Sequence, residues 1–175
     1  EVVLPAVTFI ASANAGVVSG AVPIFCDVDA SLGLDPRALD SVVTERTAAV
    51  MPVHLENIVC DMDKILDVAR RHGIPVVEDA CQAFGATYRG QPAGTLAEIG
   101  TFSLQLEKNI TAGEGGVVVT RDESLFHRAA RYTDQGGQFV TARGGTRGGE
   151  LDEAFVGENL RMTEIAGAIA EVQLR

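Results

Sequence analysis

Lysine is scarce in this chain: Lys64 and Lys108 are the only two among 14 Lys and Arg residues. Lys64 falls on the polar side of an amphipathic stretch after Asp61, where a solvated charge is the ordinary outcome. Lys108 stands in a mostly uncharged stretch, between Gly100-Thr101-Phe102-Ser103-Leu104 and the turn-rich Thr111-Ala112-Gly113-Glu114-Gly115-Gly116. An amine at such a junction can be desolvated, which Schiff-base chemistry requires. Asp79 directly follows another apolar run, Ile74-Pro75-Val76-Val77-Glu78, and an acid there needs a cation or hydrogen-bond donors. Gln82 lies one turn on, and Ser103 sits near the end of the run ahead of Lys108. An acid, a hydroxyl and a lysine at successive strand ends fit the needs of pyridoxal phosphate. Its aldehyde needs an amine, its pyridine nitrogen needs an acid, and its phosphate needs donors. Surface ion pairs are the plain alternative.

The elements that must position these residues alternate between strand and helix patterns. Strands are expected at Val2–Leu4, Ala21–Val28, Thr47–Leu55, Ile74–Val77, Gly100–Leu104 and Gly116–Thr120. Helices are expected at Thr8–Val18, from Asp35-Pro36 through Val43, from Asp61 to His72-Gly73, and from Asp122 to about Arg131. Met162 to Leu174 reads as a last amphipathic helix, and Gly136–Gly149 as a mobile glycine-rich loop. Alternating βα units predict an α/β fold with a mainly parallel sheet between two helical layers. Ligand groups in such folds gather at the carboxyl ends of the strands. Glu at position 1 and an uncapped final helix give the expectation of a piece cut from something longer.

Composition narrows the partners. The 175 residues are 46% hydrophobic with a net charge of -10, which excludes disorder and disfavours nucleic acid as a partner by repulsion. Val2 to Cys26 carries no charge, but Pro5, Pro23, Gly16, Gly20 and several polar residues interrupt it, so no membrane span is expected. Cys26, Cys60 and Cys81 show no CxxC spacing. They read as reduced thiols of a cytoplasmic protein, and no metal is expected. No GxGxxG follows a strand, which disfavours a nicotinamide-dependent enzyme.

The sequence resembles the DegT/DnrJ/StrS family of pyridoxal-phosphate-dependent sugar aminotransferases along essentially its whole length. The matching stretches are Pro5-Ala6-Val7-Thr8-Phe9, Pro52-Val53-His54-Leu55, Asp61-Met62-Asp63 and Val77-Glu78-Asp79-Ala80-Cys81-Gln82. They continue in Phe102-Ser103, Lys108-Asn109, Gly113-Glu114-Gly115-Gly116 and Asn159-Leu160-Arg161-Met162-Thr163-Glu164. The resemblance implies the large domain of a type I pyridoxal-phosphate-dependent transferase, aspartate aminotransferase-like, truncated at both ends. Residues 1–175 would be part of that cofactor-binding domain, without its upstream Gly-Thr phosphate loop and its small C-terminal domain. Weak cofactor binding by such a piece is then expected.

The resemblance also implies roles. Lys108 is the Schiff-base lysine and proton shuttle, and Asp79 pairs with the pyridinium nitrogen. Gln82 lies against the ring near its 3-hydroxyl, Ser103 binds the phosphate, and Phe9 stacks on the ring face. Asn159 reaches the phosphate of the neighbouring subunit, so a homodimer follows. The implied reaction passes an amine from glutamate or glutamine to a keto-sugar, which is nucleotide-linked, or to a keto-cyclitol. Plainer roles compete: Phe9 as core, Asn159 as a helix-entry cap, Ser103 as a turn residue. His54 reads as a satisfied buried histidine. Family members often have Ser or Thr before the lysine and Leu-Gly soon after, whereas Glu107-Lys108-Asn109-Ile110-Thr111 stands here, leaving the acceptor open. A related sugar dehydratase would carry His in place of Lys108, and a non-catalytic scaffold would not need the whole set.

Overall fold

The computed structural model describes residues 1–136 and 155–175. Strand and helix alternate at first: β1 (Val2–Pro5), α1 (Ile10–Val18), β2 (Pro23–Cys26), α2 (Pro36–Val42), β3 (Ala49–Val50), α3 (Met62–His72) and β4 (Val77–Asp79). A short antiparallel pair, β5 (Thr87–Tyr88) and β6 (Gln91–Pro92), precedes β7 (Ile99–Ser103) and β8 (Gly116–Val119). Helices α4 (Glu123–Tyr132) and α5 (Glu164–Gln173) follow.

Strands β2, β1 and β3 pair in parallel, as do β4 and β7, while β8 joins β7 antiparallel. Parallel bridges from Val50 to Val76 and from Val53 to Asp79 connect β3 to β4. The sheet order is therefore β2-β1-β3-β4-β7-β8, parallel except at the β8 edge. Right-handed crossovers then dictate the layers. The step from β1 to β2 runs one way and the steps to β3 and β4 run the other, so α1 covers one face and α2 and α3 the opposite one. The packing agrees: Val3, Cys26, Val50 and Val76 of the sheet are buried with Leu39 of α2 and Met62, Ile65 and Val68 of α3. Helix α1 turns Ser12, Ala13 and Gly16 inward instead. The expected three-layer α/β fold with a mainly parallel sheet is the one observed.

The helix ends follow local chemistry. Asp35, Asp61 and Asp122 each accept a backbone N–H of the first turn, and Pro36 occupies the position where its missing N–H costs nothing. Gly73 closes α3 in the left-handed conformation with φ of 67°.

Several expectations need correction. Helix α1 begins at Ile10 rather than Thr8, with Phe9 extended at its N-cap. The apolar run Thr47–Leu55 holds only a two-residue strand, because Pro52 has no N–H to give the ladder, which resumes at Val53. Pro75 likewise delays β4, which starts at Val77 and includes Asp79 as its last residue. The β5–β6 hairpin was not foreseen. Its central residues, Arg89 and Gly90, both have positive φ, and Arg at the first of them hides the turn signal. The expected mobile loop lies, apart from Gly136, outside the described residues.

Gly100 marks the tightest approach beside β4. A Cβ there would stand 1.8 Å from the carbonyl oxygen of Gly94. Gly100→Ala is expected to cost about 3 kcal/mol in urea unfolding, because backbone rather than a flexible side chain must move.

Candidate active site

At the end of β4 two adjacent acids face opposite sides of the sheet, as strand alternation requires. Glu78 is completely buried. Its Oε1 accepts the amides of Leu96 (2.6 Å) and Ala97 (2.7 Å), and its Oε2 accepts the amide of Gly94 (2.8 Å). The Nε2 of His54, also fully buried, lies 3.0 Å from the same Oε2. Cys60 donates its backbone N–H to His54 Nδ1, so the imidazole proton sits on Nε2 and is donated to Glu78. Burial alone would push the Glu78 carboxyl up, but the His54 bond and the Ala97 and Gly94 amides outweigh it and hold it below the usual range. His54 is thus the satisfied buried histidine expected from the sequence.

Asp79 presents its carboxylate on the other side. Its Oδ2 accepts the Ser12 hydroxyl at 2.7 Å and its Oδ1 accepts the Cys81 amide at 3.1 Å. The acid at the strand end is therefore held by donors, and among the described residues no cation forms an ion pair with it. His54 N–H donates to the Asp79 carbonyl and Asp79 N–H to the Pro52 carbonyl, which ties the strand end to the β3 extension.

Lys108 is delivered by the loop after β7. The Leu104 carbonyl forms the neck of this loop, accepting Ala112 N–H at 2.9 Å and the Thr111 hydroxyl at 3.1 Å. Gln105 accepts the Lys108 amide at 3.0 Å. Helix α5 buttresses the loop, with Ala166 and Ala170 packed on Leu104, Ile110 and Ala112, and Gln173 accepting the Thr111 amide at 2.8 Å. Lys108 is half-buried and its amine has no ion pair among the described residues. Its charge is felt at Cys81. Burial pushes that thiol up to about 12, the Asp79 carboxylate adds to the rise, and the Lys108 charge opposes it.

The remaining sites divide. Ser103 ends β7, parallel to β4, so its hydroxyl and Asp79 share the carboxyl end of the sheet. That hydroxyl accepts the Gln105 amide at 3.3 Å, the turn role that competed with phosphate binding. Gln82 accepts the Glu56 amide on Oε1 at 3.2 Å, while its carbonyl accepts the Asn57 amide. Glu56 and Asn57 hold positive φ, so an unusual backbone turn grips Gln82. Phe9, just after β1, is 65% exposed and is not core. Asn159 is exposed and bridges to Asp134, joined to none of the other candidates among the described residues. The cap of α5 is Thr163, whose hydroxyl accepts the Ala166 amide, so Asn159 is not that cap.

Sequence reasoning missed Ser12 and Glu78 as determinants of the site. The hydroxyls of Thr8 and Ser12, four residues apart in an otherwise mostly apolar stretch, were the available signal for the first. The residues present fit pyridoxal phosphate. An anchored carboxylate with open lone pairs, an amine without an ion-pair partner and a hydroxyl stand at one sheet end.

The family model for the DegT/DnrJ/EryC1/StrS aminotransferase family matches residues 1–175. The chain is 42% identical to an L-glutamine:2-deoxy-scyllo-inosose aminotransferase of Streptomyces lividus, covering 100% of this chain and 42% of that protein. It is 45% identical to a GDP-perosamine synthase of Caulobacter vibrioides, over 99% of this chain and 45% of that one. Among solved structures, an aminotransferase from Psychrobacter cryohalolentis superposes with a TM-score of 0.89 at 36% identity, covering 99% of this chain and 45% of that one. The chain thus spans less than half the length of these relatives.

Glu78→Gln should lower stability at neutral pH by about 2–4 kcal/mol, since an amide cannot accept all four donors. A carboxyl held below its ordinary value stabilises the fold above the usual carboxylate range, and that contribution is lost as pH falls. Denaturant unfolding should therefore show a wild-type advantage that is full near pH 7 and narrows in acid.

Proposed function

Starting from the DegT/DnrJ/EryC1/StrS aminotransferase family, to which this chain belongs, we propose that it is the large cofactor-binding part of a pyridoxal-phosphate-dependent aminotransferase. Its acceptor is a keto-sugar, nucleotide-linked, or a keto-cyclitol, and its amino donor is glutamine or glutamate. The observation that carries this reading is the pair of adjacent parallel strands β4 and β7, one ending in Asp79 and the other leading to Lys108. The names of the relatives support the acceptor class: one acts on an inosose with L-glutamine, another makes a perosamine.

When bound, pyridoxal phosphate supplies the electron sink for the pair left on the donor α-carbon. Lys108 would hold the cofactor through its Nζ, and the same amine would serve as the base for the donor α-proton. Asp79 would accept the hydrogen bond of the ring nitrogen, Gln82 would face the 3-hydroxyl, Ser103 would bind the phosphate and Phe9 would cover a ring face. Asn159 would reach the phosphate bound by the neighbouring subunit of a homodimer. Apolar side chains left exposed on α1 and α5, including Val17, Val18, Ile165 and Val172, support association. The three free thiols suit the reducing cytoplasm. No helix among the described residues is long and apolar enough to cross a membrane.

In the full-length protein, borohydride reduction with pyridoxal phosphate should leave the cofactor covalently on Lys108, read by peptide mass. A label on Lys64, or none, defeats the assignment. Asp79→Asn should still take the cofactor but slow donor deamination about 100-fold, on the order of 3 kcal/mol. Unchanged single-turnover rates with glutamine or glutamate would remove Asp79 from this role.

A further inference from the structure

Ser12 is a polar side chain on the inward face of α1, 6% exposed, where an unpaired hydroxyl would be costly. It is fully employed. Its Oγ lies 2.7 Å from Asp79 Oδ2 and 2.9 Å from Thr8 Oγ1, one turn earlier. A carboxylate only accepts, so the single Ser12 proton is committed to Asp79. In the second contact Thr8 must then be the donor. The result is a directed chain, Thr8 to Ser12 to Asp79 Oδ2, complemented by the Cys81 amide on Oδ1. Among the described residues the carboxylate takes the Ser12 hydroxyl on Oδ2 and the Cys81 amide on Oδ1, and its oxygens keep lone-pair capacity for a further donor. The carboxyl plane is thereby set from two sides, by a helix on one face of the sheet and by the backbone beyond β4.

We infer that Ser12, backed by Thr8, is a positioning residue that orients the Asp79 carboxylate to receive the ring N–H of the cofactor and keeps it a pure acceptor. This rests on Asp79 having the role proposed above. Removing the hydroxyl frees the carboxylate to turn. It also removes a donor that opposes transfer of the ring proton to Asp79.

The test uses the full-length protein and compares wild type, Ser12→Ala, Ser12→Thr and Thr8→Val with pyridoxal phosphate labelled with 15N in the ring. The dissociation constant is measured by absorbance titration and the ring-nitrogen signal by NMR. Ser12→Ala is expected to bind about tenfold more weakly, with the nitrogen signal moved toward the unprotonated position. Ser12→Thr, which keeps the hydroxyl, should restore the wild-type signal. Thr8→Val should shift it in the same direction as Ser12→Ala but less, and it decides the matter if Ser12→Ala does not fold. An unmoved signal in Ser12→Ala, or a loss of affinity that Ser12→Thr shares without any spectral change, overturns the inference and leaves the functional reading standing. Absence of any complex with wild type overturns the functional reading, and this inference with it.

Discussion

The buried carboxylate of Glu78 is the constraint on which the rest of the site depends. A charge taken wholly out of water costs several kcal/mol unless donors replace its hydration. Here four do so: His54 from the segment after β3, and the amides of Gly94, Leu96 and Ala97 from the turn before β7. The compensation works only if these segments converge on β4. The electrostatic demand of one side chain thus fixes three stretches of backbone. Asp79, the next residue on the same strand, inherits that rigidity while pointing the other way.

The same logic extends to the opposing strand end. Lys108 sits on a loop, and loops are ordinarily mobile. This one is closed at its neck by two donors on the Leu104 carbonyl and is packed from behind by Ala166 and Ala170 of α5. A helix distant in sequence thereby limits where the amine can go. Gln82 is gripped by the Glu56 and Asn57 amides, whose left-handed backbone is the strain accepted for that contact. The candidate groups are held by backbone more than by one another.

Much of the fold was legible in the sequence because its signals are local. Asp35-Pro36, Asp61 and Asp122 announce helix starts through bonds spanning two or three residues, and His72-Gly73 announces a stop. Apolar runs mark strands whichever neighbours they later choose. The misreadings are also local in origin: Pro52 and Pro75 interrupt runs whose hydrophobicity looked continuous, and Arg89 masks a hairpin turn. Lys108 and Asp79 were legible because a lysine or an acid at the end of an apolar run is chemically out of place.

The sequence by itself determined the order of elements, their caps, the α/β class and the two charged groups worth following. Tertiary structure alone decided how they are served. The bond from Ser12 to Asp79 spans 67 positions, and those from Glu78 to His54 and to Gly94 span 24 and 16. No propensity or periodicity encodes such pairs, because they exist only once crossovers have put α1 over one face and the β3 extension beside β4. A serine in a helix and a glutamate in a strand look ordinary until folding removes water from both, and the need to replace that water selects their partners.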